Sequence, residues 1–380
     1  MTKKDFRGIT LLILMVINLV ACSTGPASTT GGLADKADKN DKCGDGACQG
    51  PENVNNCPQD CPQPDEAGIA ELDQSEIRED MQDRPLYLGI MVHLEGWDQE
   101  LENKDMFDHH IRLMREYADL FEKHNAKLTW ETIDIALASA TWGENILLEM
   151  ESRGHHSGVH ADLGGSKDYD CSQFSTQLRE LKEDLETLGV SVRHASGVVS
   201  HCDWVTAMVE ADYEFTTGMV AYGVMSLPMA LRPEEYRSCR NPSMCHDTFP
   251  ADLADRLHPW RMQNGDNWIN HHPSGQLVML PSSEGLACYQ EEFAGLTCGQ
   301  DFTQSDIDLF FSELDKALAL SDPNLINIYY VSWSLGKALD MDLMETWLAG
   351  IDTYVDQGLV AWKTLPEMYD VYVEWEQGHQ

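Results

Sequence analysis

Apolar and polar positions change rhythm three times along this chain. Residues 9–19 are almost wholly apolar and follow Lys3, Lys4 and Arg7; residues 23–42 lack apolar periodicity and are rich in Ser, Thr, Gly, Asp and Lys. From Arg84 onward, short apolar runs alternate with segments whose apolar residues recur at helical spacing. The runs predict strands over 86–92, 126–130, 155–160, 190–194, 215–219, 277–280, 325–331 and 359–363. The spaced segments predict helices over 107–124, 145–153 (stopped by Gly154), 174–188 and 204–210. Strand and helix in alternation are what βα units require, so the fold class read here is α/β. No internal repeat is visible.

Composition narrows the picture. The chain has 380 residues, enough for one large domain after a leader and linker are set aside. With 26 basic against 64 acidic residues, its formal charge is -38. Such a surface repels phosphate backbones and anionic lipid, which argues against a nucleic-acid partner. General acidity of this kind is a solvated surface that opposes aggregation.

The start of the chain resembles a bacterial lipoprotein signal. Leu19-Val20-Ala21-Cys22 follows the basic start and the apolar run as a lipobox would. Positive charge holds the start on the cytoplasmic side, and small Ala21 admits a peptidase before Cys22. The run falls short of the roughly 20 residues that span a bilayer. The resemblance implies a signal over 1–21, lipid on Cys22, a tether over 22–42 and stable anchoring through several acyl chains. Ser23, where Asp would favour inner-membrane retention, implies export to the outer membrane.

Cys22 is one of eleven cysteines, and the ten others form an even set suited to an oxidising compartment. Cys43, Cys48, Cys57 and Cys61 lie in a 43–62 module too short to bury a core, so two disulfides are the expected staple. Asp45, Glu52 and Asp60 offer calcium an oxygen set there, and zinc on the four thiolates is a third reading that oxidation disfavours. Farther on, Cys239 with Cys245 and Cys288 with Cys298 flank short loops, and Cys171 with Cys202 closes the count.

Four stretches together resemble the polysaccharide deacetylase family, the NodB-homology or carbohydrate esterase family four domain, over about residues 84–375. They are Lys127-Leu-Thr-Trp130, the segment 147–160 ending in His160, Arg193-His-Ala-Ser-Gly197 with Asp212-Tyr-Glu-Phe215, and Trp362-Lys-Thr-Leu-Pro-Glu-Met-Tyr369. The resemblance implies a distorted, incomplete (β/α) barrel. It also implies a divalent metal, zinc first, held by carboxylate and imidazole, and removal of acetyl groups from an envelope or extracellular glycan.

Carried over residue by residue, that site departs from the family's pattern. Val92-His93-Leu94-Glu95-Gly96-Trp97 stands where the family has its paired aspartates, with Glu95 at the metal position and either Leu94 or His93 at the base. His93 and Glu95 are two apart and share a strand face. His160 matches the first metal histidine, the second is Gly164, and Asp162 is the substitute named here. Arg193 takes the place of the arginine that orients the base. The expected catalytic set is therefore His93, Glu95 and Arg193, and the metal set His93, Glu95, His160 and Asp162. No histidine stands on the late strand, so the acid would come from His201, Asp203, His271 or His272. The rival reading is a glycan-binding or scaffold lipoprotein that kept the barrel without its chemistry. The insert 227–273, with Trp260 and Trp268, reads either as a sugar-stacking wall or as core aromatics.

Overall fold

The structure is a computed structural model that describes residues 84–94, 98–163, 170–218, 220–239, 245, 248–281, 284–285, 302–334 and 340–379. All of these belong to the compact unit Glu71–Gln380. The leader, tether and Cys-rich module, with Cys22, Cys43, Cys48, Cys57 and Cys61, lie outside the described residues, as do Glu95, Cys288 and Cys298.

The strands are β1 (Leu86–His93), β2 (Thr129–Thr132), β3 (His156–His160), β4 (Val192–Ser196), β5 (Phe215–Thr216), β6 (Trp260–Met262), β7 (Leu277–Met279), β8 (Glu284–Gly285), β9 (Ile328–Ser334) and β10 (Val360–Trp362). Between them run α1 (Lys104–Lys123), α2 (Asp134–Trp142), α3 (Ile146–Ser152), α4 (Phe174–Glu186), α5 (Trp204–Glu210), α6 (Leu253–Arg256), α7 (Gln304–Leu320), α8 (Met341–Asp356) and α9 (Leu365–His379). They form a 10-stranded sheet in the order β6-β7-β5-β4-β3-β2-β1-β9-β8, with β10 also on β1. Every pairing is parallel except β6 with β7. The sheet curls as a half-barrel, and its path ends at β6 and β8, so among the described residues it is an open barrel.

Local chemistry explains the elements. The Asn103 side chain accepts from Asp105 N and Met106 N to start α1, and Phe107, Ile111, Met114, Ala118 and Phe121 then form one buried stripe. Asn145 caps α3 in the same way, and Gly154, at φ +91°, turns the chain from α3 into β3. Alternation divides the sheet faces: Leu86, Leu88, Ile90 and Val92 join the core under the helices. Met91, Phe215, Val278, Ile328 and Tyr330 face a second core with Leu365, Met368 and Tyr372 of α9. Gly89 permits that approach, since a Cβ there would lie 2.7 Å from Met368 Cε.

Two expected disulfides are present, Cys171–Cys202 and Cys239–Cys245. Trp268 is fully buried against Trp204 and Phe249, and Trp260 is 8% exposed, so both tryptophans of the insert are core residues rather than a sugar wall.

Candidate metal centre

Parallel strands bring their last residues to one end of the sheet, and there β1, β2 and β3 place His93, Glu131 and His160 together. One ligand atom from each lies within 4.8 Å of the other two. The His93 and His160 rings are 4.5 Å apart, and His93 Nε2 is 3.1 Å from Glu131 Oε2.

Glu131 is the centre of this cluster. Its side chain is wholly buried, a state in which a carboxylate demands partners. His194 Nε2 lies 3.0 Å and Thr217 Oγ1 2.7 Å from Oε1, while the Ser196 hydroxyl donates to Oε2. Burial alone would raise the Glu131 pKa, but the hydrogen bonds and charges of His194 and His93 outweigh it and hold the carboxyl well below the usual range. Ser196 Oγ is also 2.8 Å from His160 Nδ1.

The register between β3 and β4 shifts at Ser157/Val159, and across from that irregularity the His194 ring lies over Gly158. A Cβ on Gly158 would stand 2.2 Å from His194 Nε2, so only glycine leaves room for this contact. Phe215 stacks on the same imidazole at 4.7 Å between ring centres.

Of the residues singled out from sequence, the structure brings His93 and His160 together. Asp162 is exposed, at φ +41° just past β3, and is not part of the His93, Glu131 and His160 group. Arg193 does not reach the cluster. Its guanidinium bonds Glu214 at 2.8 and 2.9 Å and Asp370 at 2.8 Å, and lies over the Tyr369 ring. Those hydrogen bonds, Glu214 first, raise its pKa, so its place is an ion-pair anchor for α9 rather than an orienter of a base. Asp203 caps α5 and accepts from Gly265 N at 2.7 Å. His271 accepts from Arg261 N, and His272 contacts Ser274. His201 sits beside the disulfide, 3.8 Å from Cys202 Sγ. The second convergence of ligand-type groups among the described residues is Cys171, His201 and Cys202, whose sulfurs the disulfide already uses.

Sequence reasoning missed Glu131, His194, Ser196 and Thr217. The signal for Glu131 was period two: Thr129 and Glu131 share a face opposite Leu128 and Trp130, which puts an acid at the end of an apolar run.

The fold and site define an open parallel α/β barrel with two imidazoles and one carboxylate at its strand ends, where catalytic side chains of such folds gather. No family model matches the chain, and no curated protein matches it. Among solved structures it is similar to a 4-alpha-glucanotransferase from Thermococcus litoralis, at 12% identity and a TM-score of 0.42 over 76% of this chain. The match spans 40% of that protein's length.

Proposed function

We propose that the chain is a lipid-anchored, metal-dependent hydrolase that removes acetyl groups from an envelope or extracellular glycan. The observation that carries the hydrolase reading is the convergence of His93, Glu131 and His160 at the ends of three adjacent parallel strands. The glycan and acetyl parts rest on the likeness of four sequence stretches to polysaccharide deacetylases, and the anchor on the lipobox at Cys22.

The donor set fits a divalent ion. Imidazole nitrogen and carboxylate oxygen are zinc's ordinary ligands, and three protein ligands leave a position for water or substrate. The 3.1 Å between His93 Nε2 and Glu131 Oε2 is close to the roughly 3.3 Å that separates two ligands on a tetrahedral zinc. When bound, the ion supplies Lewis acidity toward an acyl carbonyl and lowers the pKa of its water. The chain's residues do the rest. His93, Glu131 and His160 hold the ion, and His194 and Thr217 fix the Glu131 oxygen turned away from Ser196. By the family resemblance Glu95, two residues beyond His93, belongs to the catalytic set, and a carboxylate or imidazole there would move protons.

Acetate release from an acetylated glycan tests this reading. Zinc-loaded mature chain should release acetate, and Glu131→Ala and His160→Ala should each reduce the rate by more than the roughly 10- to 100-fold that loss of an outer partner costs. Saccharide binding without acetate release, unchanged in both variants, would transfer support to the glycan-binding reading.

A further inference from the structure

The least conspicuous member of the cluster is a hydroxyl. Ser196 ends β4 at 1% exposure, with Oγ 2.8 Å from His160 Nδ1 and donating to Glu131 Oε2. We propose that Ser196 is a positioning residue that fixes the tautomer of His160, so that Nδ1 carries the proton and Nε2 is presented to the metal. The proposal rests on the metal-centre reading above.

A serine hydroxyl has one hydrogen, which it can give to one acceptor only. Glu131 takes it: its other oxygen already accepts from Thr217, as an ionised acceptor-only carboxylate does. Ser196 Oγ therefore faces His160 with lone pairs, and the bond between them requires Nδ1–H on the imidazole. The result is a relay, His160 Nδ1–H to Ser196 Oγ–H to Glu131 Oε2, that ties two members of the metal set together. Outer partners of this kind orient a metal-binding imidazole and raise its basicity.

The sheet sets the geometry. His160 and Ser196 are register partners, Ala161 N bonds Ser196 O at 3.0 Å, and Leu163 N bonds Gly197 O at 2.8 Å. The opposite assignment, Ser196 as a nucleophile activated by His160, needs the hydroxyl hydrogen on the imidazole side and an exposed oxygen. Neither agrees with a buried hydroxyl that donates to Glu131.

The test uses the mature chain with labelled histidine, comparing wild type, Ser196→Ala and Ser196→Thr. Long-range proton–nitrogen spectra of the metal-free protein should show His160 as Nδ1–H in the wild type, a preference lost in S196A and kept in S196T. Zinc affinity by chelator competition should fall 10- to 100-fold in S196A and recover in S196T, the range found when an outer partner is removed. Nε2–H on His160 in the wild type overturns the proposal without any variant. Equal zinc affinity in S196A also overturns it, as does labelling of Ser196 by a fluorophosphonate. Failure of the wild type to bind zinc overturns the metal reading instead, and the tautomer spectra then decide the role of Ser196 alone.

Discussion

At the scale of single residues, the fold commits a wholly buried carboxylate to the service of its neighbours. Removing one partner of a buried charge cluster leaves the others unpaired, which typically costs about 3–5 kcal/mol. Glu131→Ala should therefore lose stability of that order in urea unfolding, because His194, Ser196 and Thr217 lose their shared acceptor. Gly158→Ala should cost about 1–3 kcal/mol by overpacking against His194. His155 makes a separate pH prediction. Its Nδ1 accepts from Leu128 N at 2.8 Å, so the ring is neutral with Nε2–H toward Glu122. Burial pushes its pKa down to about 4, against the opposing hydrogen bond that Nε2–H donates to Glu122. The unfolded chain, with an ordinary histidine near 6.5, takes up this proton first as pH falls. His155 thus contributes stability above pH 6.5 that is lost between 6.5 and about 4, and His155→Gln should flatten that slope by up to about 1.4 kcal/mol per pH unit.

At the scale of elements, the sequence pattern located eight of the ten strands but only four of the nine helices described, and it misjudged where β2 stops. The apolar run ends at Trp130, yet β2 continues through Glu131 to Thr132. Polar residues can end a strand here because their partners come from far away: His194 and Thr217 lie 63 and 86 positions along the chain from Glu131. Local periodicity places Glu131 on a face but records no such partnership, whereas His93 and His160 are singled out through the family resemblance. Helices α2, α6, α7, α8 and α9 have no counterpart among the helices predicted from periodicity; in α2 the short run IALASATW is apolar around most of its circumference and shows little period. The loops after β3 and β4 are tied by Cys171–Cys202, which closes 31 residues, against 6 for Cys239–Cys245. By loop-closure entropy the first bridge contributes about 3–4 kcal/mol and the second about 2. Paired Cys→Ser replacement at 171 and 202 should lower the unfolding midpoint more than at 239 and 245; an equal effect would show that strain or residual structure dominates.

At the scale of the whole molecule, strand and helix alternation sufficed to predict a parallel α/β sheet, because period and chain order are both local properties. The opening of the barrel was not legible that way; the half-barrel was expected from the family resemblance, and it depends on which strands find partners at the edges. The proposed anchor gives a prediction on the same scale. The full chain should partition into detergent and incorporate labelled palmitate in a bacterial host, and Cys22→Ser should abolish both, since one cysteine would carry the lipid. The central claim is the metal centre. Titration of metal-stripped mature chain with zinc, read by chelator competition and elemental analysis, tests it directly. The expected result is one ion per chain, lost in His93→Ala, Glu131→Ala and His160→Ala variants that remain folded; no binding by the wild type, or binding indifferent to all three substitutions, would contradict it.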